Sequence, residues 1–136
     1  MSQPQAAREV WRGLDCTRIT LPHGDCVRVA DFGAQVLSWQ ARGQERMFLS
    51  ERAVLDGSTA MRGGVPVCFP QFNQRGPLSK HGLARRTVWH YESADAQGDA
   101  ITARWLWEAP EPLHADFPHG LRAQLAVTTS PDQLCT

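Results

Sequence analysis

The sequence predicts an all-β fold, because strand patterns, turn-forming residues and a regular spacing occur together along the chain. Residues 101, 103, 105 and 107 are apolar and share one face, whereas Thr102 and Arg104 lie on the other. This period of two is typical of a strand with one buried face. Hairpins that follow one another at intervals of about ten residues are typical of a β-sandwich or barrel. We therefore expect one antiparallel β domain.

The N-terminal part is predicted to contain a polar lead-in followed by short hairpins. Residues 1–14 form the lead-in, with a short helix over residues 6–11. Residues 17–33 predict two strands joined at Pro22–Asp25, where proline, glycine and aspartate favour a turn. Further strands are predicted over residues 34–39 and, after a turn at 42–45, over residues 46–49.

The C-terminal part continues this pattern. Strands are predicted over residues 87–91, 101–107 and 121–127, with turns over 94–99 and 130–132. Pro110 and Pro112 cannot donate to a central strand, so residues 109–120 are predicted to be a connection. Trp105 and Trp107 are predicted to be core aromatics, and a platform for stacking a sugar is the alternative.

Composition argues against several classes of function. Lys and Arg number 14 and Asp and Glu number 14, so no overall field attracts nucleic acid or an anionic membrane. No apolar run approaches the roughly 20 residues that span a bilayer, and the N-terminus has no signal region, so we expect a cytoplasmic protein. The four cysteines lack paired spacing and are predicted to be reduced thiols. Neither they nor the scattered histidines match a metal motif, so no metal or other cofactor is expected.

Residues 61–91 are the least regular part of the chain and form the candidate functional segment. Long irregular segments with convergent polar groups often carry function on a rigid scaffold. Gly63 and Gly64 permit positive φ and are expected to let the backbone approach a ligand closely. Residues 67–72 are apolar apart from Gln71 and are expected to form a wall beneath a small polar ring.

The end of this segment is basic. Lys80, Arg85 and Arg86 lie close together in the sequence, with no acid after them until Glu92. Guanidinium groups bind phosphate through bidentate, charge-assisted hydrogen bonds. His81 and Arg85 are four residues apart, so they share a face whether the backbone is helical or extended. The cluster indicates a phosphate site, and a solvated basic turn is the alternative.

Two blocks in this segment resemble the glucose-6-phosphate 1-epimerase family. The first is RGGVPVCFPQF at residues 62–72, and the second is GPLSKHGLAR at residues 76–85, followed by the aromatic strand WHY. These hexose-6-phosphate mutarotases belong to the aldose 1-epimerase, or galactose mutarotase-like, superfamily. The resemblance covers residues 15 to 130 and implies a galactose mutarotase-like antiparallel β-sandwich (supersandwich). Residues 15–136 would form the N-terminal portion of that domain.

The resemblance also implies roles for individual residues. The family's arginine before Gly-Gly, a phosphate ligand, matches Arg62, and a second phosphate-binding arginine matches Arg85. His81 is expected to reach the sugar in a supporting role, without being the catalytic acid or base. Lys80 stands where the family commonly has Gln, which would add charge to the phosphate site or alter a hydrogen bond to the sugar.

The implied reaction interconverts the α and β anomers of a small-molecule hexose 6-phosphate. A base removes the proton of the anomeric hydroxyl, an acid protonates the ring oxygen, and neither step requires a cofactor. In the family both groups lie in the second half of a longer chain, so this sequence is expected to be truncated and to lack them. We expect such a chain, expressed alone, to be unstable or to bind weakly, because its sheet edges would be unpaired. A non-catalytic fragment that binds carbohydrate or sugar phosphate is the alternative, and the oligomeric state stays open.

Overall fold

The computed structural model describes residues 2–110, 115 and 120–136, which form two antiparallel sheets. The first sheet contains β1 (Gln5–Trp11), β2 (Leu14–Thr20), β3 (Cys26–Ala30), β4 (Gln35–Ala41) and β5 (Gln44–Glu45). The second contains β6 (His90–Gln97), β7 (Ala100–Glu108), β8 (Arg122–Ser130) and β9 (Gln133–Cys135). Residues 46–89, here called the connecting segment, join the sheets and include a 3₁₀ helix at Ala84–Arg86. The predicted all-β class is confirmed.

Each strand pairs with the next strand along the chain, so both sheets are simple meanders. The hairpin between β2 and β3 closes at the predicted turn, where the Leu21 amide donates to the Asp25 carbonyl at 2.9 Å. Gly24 has a φ of 107° in this turn, a backbone conformation that residues with a Cβ rarely adopt. Short turns of this kind allow the antiparallel pairing.

The main core lies between the two sheets. Ile19, Val29 and Val36 of the first sheet share one apolar cluster with Trp105 and Trp107 of the second. Trp105 is fully buried and Trp107 is 2% exposed. The predicted alternation of β7 is therefore confirmed, and both tryptophans are core residues rather than a surface for stacking a sugar.

Asp31, between β3 and β4, ties the two sheets together. Its carboxylate pairs with the guanidinium of Arg8 on β1 and accepts a hydrogen bond of 3.0 Å from the Trp105 indole of β7. Its backbone carbonyl accepts from the amide of Trp89 at 2.8 Å. Because Asp31 is only 7% exposed, these partners supply the hydrogen bonds that water would otherwise give it.

The predicted helix over residues 6–11 is wrong, because these residues belong to β1. Their alanine, arginine and glutamate have good helix propensity, but propensity is a weak prior that tertiary pairing overrides. Arg8 lies opposite Thr17 in the ladder with β2, and this register brings its side chain to Asp31. The contact with Asp31 favours the strand.

Other strands also differ from the prediction. Residues 46–49 are not a strand; Leu49 forms a single bridge with Gly63, and the Arg46 amide donates to the Trp39 carbonyl at 2.7 Å. The strand predicted over residues 87–91 instead runs from His90 to Gln97, so the turn is reduced to Gly98 and Asp99. An unpredicted strand, β9, follows the turn at residues 130–132.

Most of the predicted connection over residues 109–120 lies outside the described residues. No helix in the described part of the chain is long and apolar enough to cross a membrane.

Candidate functional site

A cavity of about 660 Å³ opens against the connecting segment. Its lining comes from two stretches, residues 52–66 and residues 80–86. All four residues that the sequence singled out for binding, Arg62, Lys80, His81 and Arg85, line this cavity. Its volume falls within the roughly 300–1,000 Å³ of small-molecule sites.

The cavity is strongly basic. Arg52 and Arg86 join Arg62, Lys80 and Arg85 in its lining, which contains no Asp or Glu. The sequence itself has no acid between Asp56 and Glu92. In a chain whose formal net charge is zero, this clustering creates a local site for an anion.

Arg62 is held in place by β4. The buried Gln35 amide donates from Nε2 to the carbonyls of Met61 and Gly63, at 3.2 and 2.6 Å. Gly64 has a φ of 61°, and a Cβ there would lie 1.7 Å from the Val36 carbonyl oxygen. The two contacts fix the backbone on either side of Arg62 against the first sheet.

The paired glycines also pack against neighbouring backbone. Gly63 and Gly64 adopt positive φ, as expected, and both lie directly against protein backbone, while Gly63 also lines the cavity. A Cβ at Gly63 would lie 2.4 Å from the carbonyl oxygen of Phe48. Glycine is needed here because the segment lies directly on its neighbours, and the arginine beside the pair reaches the cavity.

His81 is positioned by a two-way contact with Asn73. The His81 amide donates to the Asn73 carbonyl at 3.0 Å, and the Asn73 amide donates to His81 Nδ1 at 2.9 Å. A ring nitrogen that accepts from an N–H carries no proton, so Nε2 bears the proton of the neutral imidazole. Burial, and then the charges of Arg85 and Lys80, lower the pKa of His81 below its usual 6.5. His81 is therefore a neutral hydrogen-bond donor through Nε2.

Gln71 organises the loop that carries Asn73, a role that the sequence did not reveal. Its side-chain Nε2 donates to the carbonyls of Asn73 and Leu78 at 2.8 and 3.1 Å, and its Oε1 accepts from the Leu78 amide at 2.8 Å. The residue is 7% exposed. The available signal is a single amide within an apolar run, which the sequence pattern assigns to a wall beneath a ligand.

The rest of that run divides between core and surface. Phe69 packs edge-on against Trp107 with ring centroids 6.0 Å apart. Phe72 is 65% exposed and lies beside His81, with centroids 5.0 Å apart. None of residues 67–72 is part of the cavity lining, so they do not form the predicted wall.

Arg85 is anchored through its backbone and one end of its side chain. Gly33 approaches so closely that a Cβ there would lie 2.9 Å from the Arg85 carbonyl oxygen. The Trp89 indole donates to the carbonyl of Ala84 at 2.9 Å, which fixes the 3₁₀ helix to the core. One terminal nitrogen of Arg85 donates to the Lys80 carbonyl at 3.1 Å. Its Nε is buried without a partner among the described residues.

The site therefore offers guanidinium and ammonium donors together with one neutral imidazole donor. Such donors suit a phosphate and the hydroxyls of a polar ligand. Within the described residues, no three His, Cys, Asp or Glu side chains come together as a metal site would require.

Comparison with known proteins places the chain in a family. The family profile described as aldose 1-epimerase matches residues 15–135. The chain belongs to the aldose 1-epimerase family. This membership confirms the superfamily that the two sequence blocks predicted, and it makes the chain part of an isomerase family.

Curated relatives extend the likeness. A protein of Cenchrus ciliaris named "Putative glucose-6-phosphate 1-epimerase" is 41% identical over 113 residues, which cover 78% of this chain and 34% of that protein. The Escherichia coli K12 protein of the same name is 43% identical over 91 residues, 64% of this chain and 31% of that protein. The chain thus spans about one third of the length of these relatives.

A solved structure confirms the fold class. The mutarotase-like protein YeaD of Salmonella typhimurium, described as a "putative mutarotase", superposes with a TM-score of 0.79 at 25% identity. The match covers 92% of this chain and 43% of that one. The two sheets are accordingly a mutarotase-like antiparallel β-sandwich.

Proposed function

We propose that this chain binds a hexose 6-phosphate for the reaction of a glucose-6-phosphate 1-epimerase. The observation that carries this proposal is the basic cavity in which Arg62, Lys80, His81 and Arg85 meet. The names of the relatives point to the same substrate.

The phosphate is bound by the basic side chains in this proposal. Arg62 and Arg85 come from the two separate stretches that line the cavity. A phosphate dianion accepts several charge-assisted hydrogen bonds at once, which explains the need for more than one arginine. Lys80 adds a point charge from the stretch that carries His81.

His81 binds the sugar rather than transferring its proton. With Nδ1 occupied by the Asn73 amide, the ring offers only its Nε2–H to the cavity. Its lowered pKa keeps the imidazole neutral near pH 7, so it is a poor proton donor to a ring oxygen but a good hydrogen-bond donor to a hydroxyl.

Epimerisation needs an acid and a base, and the lining contains no Asp or Glu. We therefore propose that this pair comes from sequence present in the relatives beyond the third that this chain matches. A cytoplasmic location for the reaction stays a prediction.

Binding is tested by titration calorimetry of the chain with glucose 6-phosphate and with glucose. We expect measurable binding of the phosphate ester, weak as the unpaired sheet edges predict, and still weaker binding of glucose. Because Arg62→Gln removes one charge-assisted contact, it should lower the affinity for the phosphate ester by about tenfold to a hundredfold. Arg75→Gln, an exposed arginine outside the cavity lining, is the matched control. Equal affinities for the two sugars would contradict the proposal.

Catalysis is tested separately by joining this chain to the C-terminal part of the Cenchrus ciliaris relative. Anomer exchange of glucose 6-phosphate, followed by proton NMR, should be faster with the fusion than with the chain alone. Arg62→Gln in the fusion should slow exchange, whereas Arg75→Gln should not. A fusion that binds the sugar phosphate without exchange would favour the non-catalytic alternative.

A further inference from the structure

The cavity carries more positive charge than one phosphate requires. Five of the 14 Lys and Arg residues line it, whereas a phosphate ester carries about two negative charges at neutral pH. The residues proposed for that phosphate, Arg62, Lys80 and Arg85, already exceed its charge. Arg52 and Arg86 have no role in that assignment.

Outside the cavity, most arginines are paired with acids. Six arginines of the sheets and their hairpins pair with Asp or Glu: Arg8, Arg18, Arg28, Arg42, Arg104 and Arg122. Within the described part of the chain, none of the five basic residues of the cavity has such a pair. Arg12, Arg46 and Arg75 also lack an acid partner within the described residues, but the cavity lining brings five such charges together with no Asp or Glu among them.

Arg52 and Arg86 lie on backbone that is held in place. The Arg52 amide donates to Ser50 Oγ at 3.2 Å, within a turn closed by the bond from the Ala53 amide to the Ser50 carbonyl at 3.0 Å. The Arg86 amide donates to the Leu83 carbonyl at 2.9 Å at the end of the 3₁₀ helix. Both side chains are exposed to solvent and line the cavity, so a ligand can reach them.

We propose that the cavity takes a sugar with two anionic groups, such as a hexose bisphosphate, and that Arg52 and Arg86 contact the second group. This inference rests on the proposed function, since Arg62, Lys80 and Arg85 keep the first phosphate. The second group adds charge-assisted hydrogen bonds at guanidinium groups that a monophosphate leaves uncompensated. A sugar phosphorylated on its anomeric oxygen has no anomeric hydroxyl to deprotonate. Such a ligand would occupy the site without ring opening and compete with the monoester.

The test is calorimetric binding of glucose 1,6-bisphosphate and glucose 6-phosphate at the same pH and salt concentration. We expect the bisphosphate to bind at least about tenfold more tightly. The double variant Arg52→Gln/Arg86→Gln should lose most of this advantage and keep its affinity for the monophosphate within about threefold. Arg75→Gln removes one positive charge outside the lining and should change neither affinity, which controls for long-range attraction.

The outcomes separate this inference from the proposed function. Equal affinity for the two esters overturns the inference and leaves monophosphate binding intact. A bisphosphate advantage that survives in the double variant also overturns it, because the second group would then lie elsewhere. Pyrophosphate that binds as tightly as the bisphosphate would show that charge alone is recognised, and this too contradicts the inference. If neither ester binds, both proposals fail together.

Discussion

The two sheets and the connecting segment use charged residues in opposite ways. In the sheets, arginines are paired across strands, as Arg8 is with Asp31 and Arg104 with Asp95. In the connecting segment, Arg62 and Arg85 line a cavity that has no acid in its lining. Paired charges hold strands together, whereas unpaired charges around a hollow remain available to a ligand.

The two regions also differ in how their backbone is fixed. Strand ladders satisfy the peptide groups of the sheets, and the core lies between them. The connecting segment instead depends on buried amide side chains, Gln35 and Gln71, and on glycines that lie directly on neighbouring backbone. A few side chains thus do for the segment what regular pairing does for the sheets, so single substitutions there should have local and large effects.

Gly64→Ala should have the largest effect. A methyl group would collide with the Val36 carbonyl, 1.7 Å away, on a backbone that already has a φ of 61°. We expect a loss of about 4 kcal/mol of unfolding free energy, the range reached by severe steric strain, or local detachment of the segment with loss of sugar-phosphate binding. Urea denaturation and calorimetry measure the two effects.

Gly98→Ala is the matched control for this substitution. Gly98 has a φ of 63°, but nothing lies within 4 Å of the added Cβ. It should cost only the conformational penalty of about 1–2 kcal/mol, with binding unchanged. Equal losses for the two variants would mean that close packing on β4 does not hold the segment.

Asp31→Ala should have the next largest effect and should act on stability alone. It removes the partner of the partly exposed Arg8 and leaves the buried Trp105 indole N–H without an acceptor, at a cost of about 3 kcal/mol, the upper end for an unsatisfied buried polar group. Asp95→Ala breaks the exposed pair with Arg104 and should cost less than about 1 kcal/mol. Urea denaturation of both variants gives the comparison.

Removal of a cavity charge should weaken ligand binding and leave stability almost unchanged, the opposite of Asp31→Ala. Arg62→Gln should change the unfolding free energy by less than about 0.5 kcal/mol, because no acid pairs with Arg62 in the described part of the chain, while binding weakens. A destabilisation by Arg62→Gln as large as that of Asp31→Ala would remove the contrast between the two regions.

The sheets were predictable where the pattern of side chains encodes burial directly. Residues 101–107 alternate because one face of β7 is buried, and the tryptophans lie where that period puts them. The edge strand β1 was mistaken for a helix because its ladder with β2 and its contact with Asp31 are tertiary effects. The strand predicted over residues 46–49 does not form, because the single bridge from Leu49 to Gly63 is not a ladder with a partner strand.

The charged residues of the site could be predicted from the sequence, whereas the buried amides that hold them in place could not. Two sequence blocks named Arg62, Lys80, His81 and Arg85, which the fold brings to one cavity. Arg52 was missed because it lies outside both blocks. Gln35 was missed because the burial of an amide depends on which carbonyls the fold brings to it, and no local pattern encodes that.

Gln71→Ala should have a moderate effect on stability and a larger one on binding. It leaves the Leu78 amide without its acceptor and removes the side-chain donor to the Asn73 and Leu78 carbonyls, at a cost of about 1–3 kcal/mol. Because Asn73 holds His81, sugar-phosphate affinity should fall. Gln124→Ala, which loses an exposed hydrogen bond to Glu92, is the control and should change neither quantity. Unchanged affinity in Gln71→Ala would show that this loop does not position His81.

The smallest expected effect is a rise in the pKa of His81 when phosphate binds. In the free chain, burial and the charges of Arg85 and Lys80 lower the pKa below 6.5. A phosphate dianion among these groups cancels their repulsion of the imidazolium form and attracts it, so the pKa should rise. NMR titration of histidine-labelled chain, with and without glucose 6-phosphate, measures the change.

The same titration connects His81 to stability. Because the folded chain favours the neutral imidazole, the unfolded chain binds more protons as the pH falls below 6.5, and the unfolding free energy decreases in that range. Bound phosphate should reduce this decrease. In Lys80→Gln/Arg85→Gln the pKa of the free chain should be higher and its rise on ligand addition smaller. If the pKa of His81 does not respond to the ligand in the unmodified chain, the phosphate does not lie among these residues, and the cavity is a basic hollow without the proposed occupant.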